Sequence, residues 1–549
     1  RPNLTQICGP NAEVILARTL MGILACAIAS IACAEQPMGG RASDEGRRLV
    51  LTPEQANGKS IYMEGRSLSG EEIAALLGAP PTRVSATVLP CVNCHGPDGR
   101  GKPEGGVYPS DLRWDSLARS YGNRHPTGRK HRPYDEASFA RAVREGVDPS
   151  RNRLGAAMYR YEIGDRDLSD LIAYLRVLDR DVDPGVLADE IRIATVLPVD
   201  GRWAPAGRSL RKLLEGLLGE INERGGIFHR RIALEVVPAG LDPEQALRDL
   251  DRLLERSPAF AIVSPFLPEG LTGLTDLADL RRIPVIAPIG PGAERAGGES
   301  RFVFHLTPGP AMQARALVDH ARRDAEPGRL RALLYAPDRD RDRGLADAVA
   351  ARSAEKGVEL AARVLYAADT FPTAADLAGL REGDRVFFLG EARECAALLE
   401  SARALGREPS RVYLLGSRLD GSIFSAPRGG PAIFAAFPNS RSAQSARAVE
   451  EFQALLGRHD LAGDRSSLLI AGYCGVRLLL EGLEQSGRDL RRESLLFHLE
   501  GLYRFETGLM APLTFGRNRR VGACGAYVVE VDREHRALIC DGDWIEVIR

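Results

Sequence analysis

The chain has 549 residues, of which 44% are hydrophobic and 27% are charged, as in a globular protein of several domains. Its 73 Lys and Arg residues are balanced by 74 Asp and Glu residues. Because there is no basic excess to neutralise phosphates, the composition excludes a dedicated nucleic-acid-binding protein.

The first 34 residues are predicted to be a signal peptide, followed by a linker over residues 35–50. Arg18 precedes LMGILACAIASIACA, a short apolar run that ends in small residues. The triplet Ala32-Cys33-Ala34 fits a cleavage site before Glu35. The run is shorter than the about 20 apolar residues that a membrane-spanning helix needs. We therefore expect export to the periplasm, an oxidising compartment, with a lipid anchor at Cys33 as the alternative.

Two of the nine cysteines lie near the C-terminal end of the sequence. Cys524 and Cys540 flank a predicted hairpin, AYVVEVDREHRALI. They could form a disulfide with each other. This pairing is only a candidate, because connectivity cannot be read from the sequence.

The sequence CVNCH at residues 91–95 carries the clearest chemical signal. A redox CxxC pair normally opens a helix after a strand, whereas here Gly and Pro crowd the residues that follow. A zinc site needs four ligands, and no second CxxC or HxxxH pair lies nearby. CxxC followed at once by His is the haem c attachment motif. We predict one covalent haem c, with thioether bonds to Cys91 and Cys94 and with His95 as an axial ligand.

A sixth ligand to the iron is expected downstream of this motif. Met158 precedes an amphipathic helical stretch, and a methionine thioether raises the reduction potential of haem. The other candidates are His125, His131 and Met63, and a methionine is more often simply a core residue. If Met158 is not bound, His125 or His131 could serve as the polar group of a peroxidase-like site.

Residues 51–182 resemble a class I cytochrome c, an all-α domain. Gly58 and Tyr62 match the first helix of that family, and Leu171 and Tyr174 match the last helix, which crosses it. The family usually has only a few residues between the first helix and the motif, whereas about 28 separate Tyr62 from Cys91. We expect this insertion to contain an extra helix at SGEEIAALLG.

Residues 183–190 are interpreted as a linker, and the pattern changes after it. Over residues 191–549, apolar strand-like runs such as IRIATVLPV, FAIVSPF and RVFFLGE alternate with helical stretches. This alternation is typical of an α/β fold with a parallel sheet and helices on both faces. The length predicts two such lobes, and ligands bind such sheets beyond the carboxyl ends of the strands.

This second part resembles a type I periplasmic binding protein, of the branched-chain amino acid receptor group of ABC importers. The resemblance lies in an ordered series of segments that includes EINERGGIFHRRIALEVV, RIPVIAPIGPGA and FVFHLTPGPAMQARALVDHA. It implies two Rossmann-like lobes, three crossovers and a small organic ligand in the cleft between the lobes. The candidate ligand residues that follow strands are Trp203, Ser264, Gly290, Arg341 and Glu391. Arg341 lies in a charge run that is also explained by solvation, and Glu391 is also explained as a helix N-terminal carboxylate.

No P-loop, GxSxG, HExxH or dinucleotide-binding motif occurs in the sequence, so no enzyme is predicted. We expect a periplasmic electron carrier fused to a solute-binding clamshell, which links ligand recognition to a redox partner such as a dehydrogenase or another cytochrome. One alternative is a receptor for an ABC permease with an accessory cytochrome. The other is a haem enzyme that acts on the bound ligand.

Overall fold

The computed structural model describes residues 49, 51–78, 80–101, 103–268, 271–290, 300–323, 325, 328–367, 373, 375–427, 429–461, 467–488, 490–539 and 542–547. The predicted signal peptide, Cys33 and Cys540 lie outside these residues, so the leader, the lipid anchor and the Cys524–Cys540 pairing stay predictions. The predicted hairpin near the C-terminal end is present, with strands that pair in antiparallel fashion over residues 525–532 and 537–538.

The first part of the described chain is mainly helical. In chain order its elements are α1 (Pro53–Glu64), β1 (Ala74–Leu77), β2 (Thr82–Ser85), α2 (Val92–His95), α3 (Trp114–Leu117), β3 (Asn123–Arg124), β4 (Lys130–His131), α4 (Glu136–Glu145), β5 (Arg160–Glu162) and α5 (Asp165–Leu175).

The first and last helices of this part cross at close range, as the resemblance implies. A Cβ atom on Gly58 of α1 would lie only 2.0 Å from the carbonyl oxygen of Asp170 on α5. Next to this contact the rings of Tyr62 and Tyr174 meet with their centroids 5.9 Å apart. A glycine is needed at residue 58 because no side chain fits between the two backbones.

The extra helix expected at SGEEIAALLG is wrong, since this segment forms the strand β1. It pairs in antiparallel fashion with β2 and with β5, giving a small sheet in the order β2-β1-β5. Ala74 and Ala75 are fully buried in it. A short continuous apolar run such as IAALL does not distinguish a strand from a helical segment in the sequence, and pairing with the distant β5 decides the outcome.

The second part begins with a parallel sheet in the order β10-β9-β8-β6-β7. The predicted strands IRIATVLPV and FAIVSPF are present in it. Its elements are β6 (Glu190–Pro198), α6 (Ala204–Glu223), β7 (Arg231–Ala239), α7 (Pro243–Arg256), β8 (Ala261–Val263), α8 (Leu271–Arg281), β9 (Val285–Ile286) and β10 (Val303–Phe304). We call this sheet and its helices lobe 1.

A second sheet follows, in the order β12-β11-β13-β14-β15-β16-β17, with β18 also paired to β16. The strands from β12 to β15 are parallel, and those after them are antiparallel. The elements are α9 (Pro310–Arg323), β11 (Leu330–Pro337), α10 (Asp340–Lys356), β12 (Val358–Tyr366), β13 (Arg385–Phe388), α11 (Ala392–Ala404), β14 (Arg411–Leu415), β15 (Ala432–Phe437), α12 (Ala446–Arg458), α13 (Ser467–Ser486), α14 (Arg492–Glu500), β16 (Gly525–Asp532), β17 (Ala537–Leu538) and β18 (Asp543–Glu546).

The hydrophobic cores show how the chain passes between the two sheets. Helices α12, α13 and α14 share the core of lobe 1, although they follow the strands of the second sheet in sequence. Strand β16 then contributes to the cores on both faces of the second sheet. We call the second sheet and the helices that pack on it lobe 2. The chain therefore crosses between the lobes near residues 306–309, 438–445 and 516–524, as the resemblance implies.

Arginine side chains from α14 and the residue before it hold the mainly helical part to lobe 1. Arg491, which is 4% exposed, donates hydrogen bonds to the carbonyl oxygens of Leu178 and Asp181. The backbone amide of Arg492 donates to the Asp183 carboxylate, and its guanidinium donates to the carbonyls of Ala259 and Phe260. We call Arg491 and Arg492 the arginine latch.

Candidate functional site

The imidazole of His95, a residue that lines a cavity, is held by one hydrogen bond. Its Nδ1 atom lies 2.8 Å from the carbonyl oxygen of Ser110, so Nδ1 carries the proton. Its Nε2 atom is buried and has no hydrogen-bond partner in the part of the chain that the structure describes. Burial lowers the pKa of His95, which keeps the ring neutral. A neutral ring with one free buried nitrogen is the form that binds a metal.

The cavity beside His95 has a volume of about 820 Å³, within the range for small-molecule and cofactor sites. Cys91, Cys94 and His95 lie in its wall, and so does Met158. Most of the remaining wall is apolar, with contributions from Ile61, Ile73, Ala86, Leu89, Phe139, Ala142, Val143 and Leu171. A large flat apolar group with a central metal fits this wall.

The two cysteine thiols do not resemble a redox pair. Burial raises the pKa of Cys91 to about 12, and burial also raises the pKa of Cys94. A redox dithiol needs a lowered pKa so that a thiolate is available for exchange. Among the described residues, no group of three or more His, Cys, Asp or Glu side chains is placed to hold a metal ion. The geometry therefore favours haem over the redox and zinc interpretations.

Polar residues form a connected cluster in the same wall, which the sequence reasoning missed. Arg129 donates to the buried Asp148 carboxylate at 2.7 Å and to the Ser110 hydroxyl at 3.2 Å. The Asn152 side chain donates to the same carboxylate. These residues are scattered over 110–152 without a motif, so only the fold brings them together.

The four candidates for a sixth ligand are separated by the structure. Met158 and His125 line the cavity, whereas His131 and Met63 are not among its lining residues. Both ring nitrogens of His125 are engaged, with the Thr127 hydroxyl and the Tyr108 carbonyl, each at 2.7 Å. Of the four side chains, that of Met158 is the better placed for an iron in this cavity.

The carboxyl edge of lobe 1 carries three of the predicted ligand residues. Trp203 is 40% exposed, and its ring meets that of Phe266 edge to face at 5.6 Å. Gly290 lies exposed in the turn that follows β9. Ser264 is instead fully buried, with its hydroxyl 3.5 Å from the Gly472 carbonyl of α13. In this arrangement the Ser264 hydroxyl faces a helix of its own lobe and cannot contact a ligand.

In lobe 2 the strand ends carry an ion-pair network. Glu391 caps the N-terminus of α11, as the alternative interpretation of this residue expects. The guanidinium of Arg418 pairs with Glu391 and with the fully buried Asp342. Sequence reasoning missed Arg418 and Asp342, because the pairing joins segments 76 residues apart. Arg341 lies in the first turn of α10, beside Asp342.

Within the described ranges, every helix is too short or too polar to cross a lipid bilayer.

Comparison with known families places both parts of the chain. The model described as periplasmic binding protein matches residues 190–536, and the model described as cytochrome c matches residues 85–179. No curated protein matches the chain.

Solved structures share the two-lobed fold. A fatty acid ABC transporter substrate-binding protein from Thermomonospora curvata is 16% identical, with a TM-score of 0.50 over 67% of this chain and 95% of that chain. A branched chain amino acid ABC transporter from Thermus thermophilus with bound valine is 14% identical, with a TM-score of 0.50 over 65% and 97%. An ABC transporter substrate-binding protein from Sphaerobacter thermophilus is 18% identical, with a TM-score of 0.51 over 66% and 97%. These identities show a common fold.

The matches confirm the expected joining of a class I cytochrome c domain to a type I periplasmic binding protein fold. One family model spans more than half of the chain, and the cavity beside His95 lies in the part matched by the other. The chain belongs to the periplasmic binding protein family and carries a cytochrome c domain ahead of that fold.

Proposed function

We propose that this chain is a periplasmic electron carrier in which one covalent haem c is mounted on a small-solute receptor. Cys91 and Cys94 would hold the haem through thioether bonds, and His95 and Met158 would supply the nitrogen and sulfur ligands of its iron. The observation that carries the proposal is His95, whose buried Nε2 has no partner among the described residues and which lines a cavity of about 820 Å³ together with Cys91, Cys94 and Met158. When bound there, haem c supplies reversible one-electron transfer.

The polar cluster suits the two carboxylates at the edge of a haem. Arg129 and Arg153 both line the cavity, and Arg129 is held in place by the buried Asp148. Guanidinium groups bind carboxylates through charge-assisted hydrogen bonds. We assign the propionates to this cluster, because Arg129 and Arg153 supply the guanidinium groups among the lining residues.

The clamshell is assigned a small organic solute in the cleft between lobes 1 and 2. Trp203 is 40% exposed at the carboxyl edge of lobe 1, with the Arg202 guanidinium over its ring. In lobe 2, Arg418 forms ion pairs with Asp342 and Glu391 at the ends of the strands. Among the similar structures, one holds bound valine and another is a fatty acid ABC transporter substrate-binding protein. Amino acids and fatty acids are therefore the first candidate solutes for this clamshell.

The position of the latch indicates how the two parts work together. Ala259 and Phe260 precede β8, and the cytochrome residue Glu64 pairs with Arg282, which precedes β9. The cytochrome domain therefore docks at the amino-terminal edge of the lobe 1 sheet, opposite the ligand edge. The nine residues of β6 alone separate these edges by about 30 Å.

This separation disfavours a haem that acts directly on the cleft ligand. It favours a link through a common partner, a periplasmic redox protein that recognises the receptor and receives or supplies electrons at the haem. The second candidate is a receptor for an ABC permease with the cytochrome as an accessory, which the fold of the lobes favours equally.

The experiment that tests the proposal uses the holoprotein matured in a host that attaches c-type haem. We expect a reversible one-electron midpoint and slow cyanide binding, because Met158 occupies the sixth position of the iron. Rapid binding of cyanide or peroxide by the wild-type protein would instead support an enzyme. The Met158→Ala variant should bind cyanide fast and have a lower midpoint potential.

A further inference from the structure

The guanidinium of Arg160 lies behind the loop that carries Met158. Met158, Tyr159 and Tyr161 all line the cavity, whereas Arg160 is not among the lining residues. Its side chain packs against the backbone of Gly146 at the end of α4. A Cβ atom at residue 146 would lie 1.8 Å from the Arg160 Cζ atom. Arg160 therefore occupies a space that only a glycine at residue 146 leaves open.

From this position Arg160 holds both ends of the Met158 loop. It donates hydrogen bonds to the carbonyl oxygen of Met158 and, at 3.2 Å, to that of Leu154. The Leu154 amide in turn donates to the Gly146 carbonyl at 2.8 Å. The five residues from 154 to 158 are thus closed into a loop around one side chain. Hydrogen bonds from a charged donor are the stronger kind.

The hairpin that replaces the expected helix supports Arg160 from the other side. Arg160 is the first residue of β5, and it stands opposite Leu76 of β1. Arg83 on β2 reaches across and pairs with Glu162 of β5 at 2.8 Å. The insertion between Tyr62 and the haem motif therefore provides the strand that pairs with the segment after Met158, and a side chain on its second strand that also contacts this segment.

We propose that Arg160, held in register by the inserted β1–β2 hairpin, is a positioning residue that keeps the Met158 thioether directed at the haem iron. The inference rests on the proposed function, because it takes Met158 as the sixth ligand. The inserted hairpin then has a definite role in this chain, which is to stabilise the axial methionine.

The test compares holoprotein variants by midpoint potential, absorption spectrum and rate of cyanide binding. Arg160→Gln should raise the population of the methionine-free state about tenfold. Loss of one hydrogen bond from a charged donor changes an equilibrium constant by about this factor. Cyanide binding should accelerate by the same factor, and the midpoint should fall. Arg160→Lys, which keeps a cation beside Gly146 but loses the two-pronged geometry, should lie between Arg160→Gln and the wild type.

The matched control is Arg144→Gln. Arg144 also donates twice to a backbone carbonyl, that of Ile163, and pairs with Asp165, so the hydrogen bonds given for it within the described residues go to partners outside the Met158 loop. A wild-type spectrum for this control, beside a shifted one for Arg160→Gln, supports the proposal. An equal shift in both variants would mean general loosening of the domain and would overturn it.

Met158→Ala separates the two levels of the argument. If Met158→Ala opens the iron while both Arg160 variants match the wild type, the positioning role is wrong and the ligand assignment stands. If Met158→Ala itself leaves the spectrum and potential unchanged, the ligand assignment is wrong and the inference is wrong with it.

Discussion

The orientation of His95 follows from one backbone carbonyl. The carbonyl oxygen of Ser110 accepts a hydrogen bond from the Nδ1–H group of His95, so Nε2 carries no proton and stays without a partner among the described residues. Removing a side chain at residue 110 would leave this hydrogen bond in place, because the acceptor belongs to the main chain. The imidazole is thus set for metal binding by the path of residues 96–110 rather than by a neighbouring acid.

His320 on α9 of lobe 2 illustrates a buried histidine with a different consequence. It is 8% exposed, and its Nδ1 has no hydrogen-bond partner within the described residues. Burial, together with Arg411, Arg323 and Arg385, lowers the pKa of His320 to about 4, while Asp543 acts in the opposite direction. The ring therefore stays neutral in the folded state. As the pH is lowered, the unfolded chain takes up a proton on His320 at a higher pH than the folded protein does.

We expect the contribution of His320 to the free energy of unfolding of lobe 2 to be fully present above pH 6.5. It should be lost as the pH drops from 6.5 towards 4. The loss should be roughly 2 to 3 kcal/mol. Urea titrations at several pH values on the wild type and on His320→Leu measure it. Equal pH dependence in the two proteins between pH 6.5 and 4 would show that His320 does not titrate in this way.

The roles of individual residues could be predicted from the sequence only where covalent chemistry fixes a spacing. CVNCH predicted haem attachment at Cys91, Cys94 and His95, because thioether and axial bonds to one porphyrin demand that order, and all three residues line one cavity. Ser264 follows its strand as expected, yet its hydroxyl faces α13, because the direction of a side chain depends on packing that the sequence does not display. The pairing of Arg418 with Asp342 was hidden for the same reason.

At the scale of elements, the crossing of α1 and α5 organises the cytochrome domain. Asn57 beside the crossing donates to the carboxylates of Asp167 and Asp170 at 2.9 and 2.8 Å. The helix α5 was predicted from its helical periodicity, whereas α1 and the role of Gly58 were predicted from the resemblance to a class I cytochrome c. The β1–β2 hairpin was missed, since its partner β5 is more than 70 residues away and strand pairing of that kind has no local signal.

We predict that Gly58→Ala destabilises the cytochrome domain by about 2 kcal/mol or more, because the new methyl group overlaps the Asp170 backbone. The matched control is Gly219→Ala on α6, where a Cβ meets nothing within 4 Å. That change should be neutral or stabilising by up to about 1 kcal/mol, since alanine is the better helix former. Thermal unfolding of both variants is the measurement, and equal melting temperatures would contradict the crossing.

At the scale of the whole molecule, the arginine latch makes the linker between the domains part of a packed structure. Asp181 accepts a hydrogen bond from Tyr174 at 3.0 Å and pairs with Lys59 at 2.7 Å, in addition to its contacts with Arg491. Tyr174 meets Tyr62, whose hydroxyl donates to the carbonyl of Gly96, the residue after His95. The α/β alternation predicted both lobes, but a contact between domains of different families has no sequence signal.

We predict that Arg491→Gln weakens the attachment of the cytochrome domain by about 2 to 4 kcal/mol, because two carbonyls and a buried carboxylate lose a charged donor. Hydrogen exchange at residues 177–190 should accelerate, and proteases should cut the linker sooner. Arg301→Gln removes an exposed pair with Glu493 and should change the stability by less than about 1 kcal/mol. Unchanged protection of the linker in Arg491→Gln would show that the latch is dispensable.

The central claim is that one chain holds a covalent haem c and a small solute at two separate sites. Native mass spectrometry of the full-length protein, made in a host that matures c-type haem, tests it most directly. We predict the polypeptide plus one haem that survives denaturation, plus a small organic molecule that does not, with the haem lost in a Cys91→Ser, Cys94→Ser double variant. A mass equal to the bare polypeptide would contradict the account of the cytochrome domain, and haem without a second molecule, even in the presence of candidate solutes, would contradict the account of the clamshell.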